Sequence, residues 1–199
     1  MMHNANEPDA LQPAPSGRPT RVMLFTDTLA DVNGVSRFIQ DVAIRSRETD
    51  RDLEIVTSTR LACPEGSNIN NFKPVFAMAM PGYENLELAL PPLLAMLRHA
   101  DKARPDVIHV STPGPVGCAG WLAARKLKIP MLGVYHTDFP AYVDILFDDH
   151  ALTEVTSWFM RRFYKRFASI FTRSADYAGS PTKLRMDPGN LARTRPRLT

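Results

Sequence analysis

The residues of this 199-residue chain whose types and spacing suit chemistry gather in three short stretches. Asn33 and Gly34 head a helical pattern, where unpaired backbone N–H groups and the positive end of the helix dipole favour an anion such as a phosphate. An Asn there is equally a plain helix cap, and neither a dinucleotide fingerprint nor a P-loop accompanies it, which speaks against a nicotinamide site. Ser111, Thr112, Pro113, Gly114, Pro115 and Gly117 form a stiff loop poor in side chains. Such a loop lets a ligand approach the backbone at the start of another helix, although glycine serving only a tight strand-to-helix turn explains the same composition. His136 and Asp138 directly follow a strand-like run, which suits an imidazole and a carboxylate to polyol binding or proton handling, or simply to capping and packing. His99, His109 and His150 have no ligand spacing to any partner, so no metal is expected. Cys63 and Cys118 form no C-x-x-C pair and read as buried thiols.

These stretches need a scaffold, and the pattern supplies one. Short β-rich runs at Arg21 to Phe25, Leu53 to Thr57, Lys73 to Met78, Asp106 to Val110, Met131 to Tyr135 and Ser169 to Thr172 alternate with helical patterns. That rhythm predicts an α/β fold with a doubly wound parallel sheet, Rossmann-like, in strand order 3-2-1-4-5-6. Ligands then bind where the order reverses, between strands 1 and 4, which is where the first two stretches fall. Helical stripes are expected from Val35, Phe38, Ile39 and Val42, from Leu93, Leu94 and Leu97, and from Val155, Phe159, Phe163 and Phe167. A further helix over Val116 to Lys126 carries Gly117 and Gly120, small enough for close packing on the sheet.

Composition bounds the partners. Apolar residues make up 44% of the chain, enough for a core, and 24 basic against 21 acidic residues leave +3, too little for a dedicated nucleic-acid binder. No apolar run approaches the ~18 residues of a membrane span, and the polar, proline-broken stretch 1–20 reads as a disordered leader, so a cytoplasmic address is the default. Trp158 to Arg173 interleaves aromatic with basic residues, which fits either a peripheral contact with anionic lipid at the inner membrane face or a core helix with a solvated basic side.

Four stretches in order, FTDTLADVNGVSRF, MPGYENLELALPP, DVIHVSTPGPVGCAGWLAARKLKIP and VYHTDFPAYV, resemble the amino-terminal domain of family 4 glycosyltransferases with GT-B architecture. The likeness is strongest to the bacterial and plant branch that includes glycolipid mannosyl- and sulfoquinovosyl-transferases. The resemblance implies retaining transfer of a hexose from a nucleotide sugar to a lipid or glycan acceptor, without a metal or other cofactor. It sets Asn33 and Gly34 against the donor diphosphate and His136 against the transferred sugar as the catalytic residue. Tyr83, Ser111, Thr112, Gly114 and Asp138 would line the acceptor side. On this reading residues 21–192 are the amino-terminal, acceptor-side domain and 193–199 a truncated linker. The family's carboxy-terminal donor domain has no counterpart in the sequence, so the chain is expected to transfer little sugar unless a complementary donor domain is supplied. The alternative is a non-catalytic binding or partner module that retains the fold.

Overall fold

The computed structural model describes residues 18–80, 83–135, 149–172 and 191–193. Its elements in chain order begin with β1 (Val22–Phe25), α1 (Gly34–Glu48), β2 (Leu53–Thr57), β3 (Ile69–Asn71), β4 (Phe76–Met80) and β5 (Tyr83–Leu90). They continue with α2 (Leu93–Ala103), β6 (Val107–Val110), α3 (Pro115–Leu127), β7 (Met131–Tyr135), α4 (His150–Tyr164), β8 (Ser169–Thr172) and β9 (Leu191–Arg193).

Seven of the strands form one sheet in the order β3-β2-β1-β6-β7-β8-β9, every neighbouring pair parallel. The expected doubly wound order holds, with β9 added at the far edge. The third strand does not fall where expected. Its place is taken by Ile69–Asn71, while the run predicted over Lys73 to Met78 becomes β4, which pairs antiparallel with β5 in a separate hairpin. The residue pattern does not decide this, since Phe76, Ala77, Met78 and Ala79 are apolar on both faces; the neighbour does, with β5 antiparallel beside it and Leu90 and Leu88 opposite Phe76 and Met78. As an edge strand β3 tolerates polar side chains, and Asn70 donates to Glu54 at 2.6 Å.

Helix α1 covers one face of the sheet, with Leu24, Leu29, Ile39, Ala43 and Ile55 in its core. Its buried face is Ser36, Ile39, Ala43 and Ser46, and Phe38 of the expected stripe is 47% exposed. Two serines can be buried because both are satisfied: Ser46 Oγ donates to the Ala43 carbonyl at 2.9 Å, and Ser36 Oγ shares a 2.9 Å hydrogen bond with Thr28 Oγ1. On the other face Met23, Phe25, Ile108 and Val110 pack with α2, α3 and the aromatic cluster of Phe163, Tyr164 and Phe167. In α2 the buried residues are Met96 and Ala100, while Leu93 and Leu94 are exposed, contrary to the expected stripe. Half of the α4 stripe is likewise exposed, since Val155 and Phe159 face out and Phe163 and Phe167 face in. Helix α3 lies close on β1. A Cβ on Gly120 would lie 2.6 Å from the Phe25 ring, so only glycine lets the helix sit at this depth. Cys63 and Cys118 are half-buried, more accessible than the sequence suggested.

Candidate functional site

The sheet order reverses between β1 and β6, which run in register from Val22 beside Val107 to Phe25 beside Val110. The loops after these strands therefore leave the same edge side by side. They are tied at once: the Ser111 N–H donates to the Phe25 carbonyl at 2.9 Å, and the Asp27 N–H donates to Thr112 Oγ1 at 2.8 Å. Each loop ends at the N-terminus of a helix, α1 in one case and α3 in the other.

At α1 the cap is local. Asn33 sits in extended backbone and its Oδ1 accepts from Val35 N at 3.0 Å and Ser36 N at 2.8 Å, while its Nδ2 donates to Thr28 Oγ1 at 2.9 Å. Arg37 N then makes the first helical bond, to the Asn33 carbonyl. That leaves the Gly34 N–H without a partner among the described residues. Among the described residues nothing lies within 4 Å of where a Gly34 Cβ would stand, so their packing does not require a glycine here. Asn33 and Gly34 are both exposed, and Val32 before them is 95% exposed.

At α3 the cap comes from far along the chain. Gly114 and Pro115 offer no capping side chain, and the carboxylate of Asp27 takes the role. Its Oδ1 accepts from Val116 N at 2.7 Å; its Oδ2 accepts from Gly117 N at 3.1 Å and from the Thr112 hydroxyl at 2.6 Å. Burial is the largest influence and holds the Asp27 carboxyl above its ordinary range; the Thr112 hydroxyl and the N–H groups of Val116, Gly117 and Gly114 oppose it. All of these are donors, and the Thr112 oxygen already accepts from Asp27 N, so the hydrogen-bond inventory fits the ionised acid. Pro115 has no N–H and Cys118 N bonds the Gly114 carbonyl at 2.8 Å, so the first turn of α3 keeps no spare donor. The glycines of this stretch therefore serve the tight strand-to-helix turn, one of the two readings its composition allowed. Gly114 is small because a Cβ would lie 2.5 Å from the Asp27 carboxyl carbon, and Gly117 because a Cβ would lie 1.7 Å from the Thr112 carbonyl oxygen.

For Asp27 the sequence carries only an indirect signal, at the far helix. A helix that opens with Gly-Pro and no Ser, Thr, Asp or Asn must be capped from elsewhere, and an Asp at the end of the neighbouring strand is a candidate.

The remaining expected site residues divide. Ser111 is 3% exposed and its hydroxyl, buried at the carboxyl end of β6, has no hydrogen-bond partner among the described residues. Tyr83 begins β5, its backbone opposite Met80 at the hairpin end. The hairpin is anchored to the same sheet edge through Glu87, whose Oε2 accepts from the Thr59 hydroxyl and from Arg60 N. His136 and Asp138 lie outside the described residues. His99 pairs with Glu54 and stacks edge-on against Phe72 at 5.3 Å, a packing role. Among the described residues no group of three His, Cys, Asp or Glu is placed to hold a metal, and no helix is long and apolar enough to cross a membrane.

Known proteins share the fold. HepE from Anabaena, solved with UDP and glucose, superposes with a TM-score of 0.57 at 16% identity over 87% of this chain and 44% of its own. Sucrose-phosphate synthase from Thermosynechococcus elongatus superposes with a TM-score of 0.60 at 10% identity over 87% and 47%. These likenesses show the fold alone, the α/β Rossmann-like half of the GT-B architecture. In sequence the chain is 27% identical over 138 residues to sulfoquinovosyl transferase SQD2 of Arabidopsis thaliana, 67% of this chain and 26% of that protein. It is 31% identical over 127 residues to a GDP-mannose-dependent alpha-mannosyltransferase of Mycobacterium tuberculosis, 61% of this chain and 33% of that protein. The chain thus spans between a quarter and a third of the length of these relatives. The family model Glycosyltransferase Family 4 matches residues 32–189, beginning one residue before the Asn33 cap, and the chain belongs to that family.

Proposed function

We propose that this chain forms the acceptor-side half of a retaining hexosyltransferase and holds the diphosphate of a nucleotide sugar at the N-terminus of α1. The observation that carries the reading is the open Gly34 N–H at the strand-order reversal, on a glycine that packing does not require. A helix N-terminus with a free donor and no Cβ in the way suits a phosphate oxygen, and the dipole adds its positive end. In the reaction the bond between the sugar C1 and the diphosphate oxygen breaks, and C1 bonds the acceptor oxygen on the same face. The acceptor proton passes to the departing diphosphate. Donors fixed at the developing negative charge lower the barrier without reorganising, and the reading needs no metal or other cofactor for this. His136 is assigned to the transferred sugar, and Tyr83, Ser111, Thr112, Gly114 and Asp138 to the acceptor side, following the family.

A lipid acceptor fits the chemistry of α4. Trp158 is 61% exposed, Leu152, Val155 and Phe159 are exposed with it, and Arg162, Lys165 and Arg166 stand at the following turn. An apolar stripe bordered by basic residues lies well at an anionic bilayer surface, which agrees with a cytoplasmic enzyme at the inner membrane face.

The test is a titration of the 199-residue chain with UDP, GDP and inorganic pyrophosphate, followed by backbone amide shifts. Movement of Gly34, Val35 and Ser36 is the expected result, and sugar transfer is expected when a complementary donor domain is added. Silence at those amides, with lipid or glycan binding retained, would instead make the chain a non-catalytic partner module.

A further inference from the structure

Helices α1 and α3 start at the same sheet edge, and a helix N-terminus of either kind could hold a diphosphate. We propose that Asp27 is a specificity-determining residue, a carboxylate belonging to the chain that occupies the α3 N-terminus as a ligand anion would and leaves α1 as the landing place for the diphosphate. The inference rests on the reading of α1 given above and adds what excludes the alternative.

The contacts at Asp27 are those of a bound anion. One oxygen takes Val116 N, the other takes Gly117 N and the Thr112 hydroxyl, all between 2.6 and 3.1 Å. This is how a helix start binds phosphate or carboxylate, two consecutive amides and a hydroxyl converging on one charged group. The space is made for that group, since Cβ positions on Gly114 would collide with both Asp27 oxygens, at 2.6 and 2.7 Å. The tie has a positional consequence as well. Asp27 and Thr112 exchange hydrogen bonds in both directions, so the two crevice loops move as one piece. Glu87, a further acid near this edge, does not compete for the amides, because it is held by Thr59 and Arg60.

The experiment compares the full chain with Asp27→Ala, which removes the carboxylate and keeps a Cβ. In the parent, inorganic pyrophosphate should move the amides of Gly34, Val35 and Ser36 and leave Val116 and Gly117 still. In Asp27→Ala, Val116 and Gly117 should begin to respond, and formate, the missing carboxylate in small form, should raise the melting temperature saturably while chloride does not. A residue with a merely structural role would lower the melting temperature without creating an anion site. Pyrophosphate shifts at Val116 and Gly117 in the parent, or a variant that gains neither response, overturn the proposal. If the parent shows no response at Gly34 to Ser36, the reading of α1 fails by itself, and the formate arm still decides Asp27. Should Asp27→Ala not fold alone, refolding in formate against chloride is the readout: recovery in formate supports the resident anion and no recovery overturns it.

Discussion

Helices α1 and α3 start at the same sheet edge, one strand apart, and are finished in opposite ways. α1 is capped by its own Asn33, keeps one donor open and carries a glycine with empty space around it. α3 is capped by Asp27 from the neighbouring loop, keeps no donor open and carries two glycines pressed against other atoms. The difference separates two uses of glycine that a sequence writes identically. Gly114 and Gly117 are small so that the protein can close on itself, whereas at Gly34 there is nothing to close on.

The hardest blow to the comparison falls on Gly117. An added methyl would stand 1.7 Å from a backbone carbonyl that cannot rotate away, so Gly117→Ala should cost more than about 3 kcal/mol. Thermal melting should show a drop on the order of 10 °C, given about 2 to 4 °C per kcal/mol at this chain length. A variant melting within a degree or two of the parent would mean that the loop is looser than its contacts indicate.

Removing each cap in turn measures the same contrast more finely. Asp27→Ala leaves two buried amides and a hydroxyl without their acceptor, which should cost about 2 to 4 kcal/mol. Asn33→Ala takes a cap from an exposed helix start where water can replace it, and should cost about 1 kcal/mol. Chemical denaturation of the two variants should therefore rank Asp27 well above Asn33. Equal losses would show that the long-range cap is no more important than the local one.

The contrast also explains what could be read in advance. The order of the sheet was legible because alternation of β-rich and helical runs leaves a parallel sheet few topologies. Asn33 was legible because a cap and its helix are adjacent in sequence. Asp27 was not, because it meets Thr112 across 85 residues, and nothing local at Asp27 announces a helix that begins so far away. The hairpin was missed for a related reason. Phe76 and Met78 satisfy a strand pattern, but whether a strand joins the main sheet depends on its neighbour, and β5 carries Leu88 and Leu90 in register opposite them. On α1 hydrophobicity alone does not measure burial: Ile39 is buried as expected, Phe38 is exposed, and Ser36 and Ser46 are buried with their hydrogen bonds made.

The smallest effect on stability is the most informative one for function. Gly34→Ala adds a methyl that meets no atom within 4 Å, in a helix where alanine is favoured over glycine by up to about 1 kcal/mol. The variant should melt at the parent's temperature or slightly above it. If Gly34 is bare so that a phosphate oxygen can reach its N–H, the same methyl stands in the ligand's path, and pyrophosphate affinity should fall by about tenfold, the equivalent of one charge-assisted hydrogen bond. Melting and titration on one sample separate the possibilities: binding lost with stability kept places the glycine in the ligand site, whereas a lowered melting temperature would return it to the helix as a structural residue.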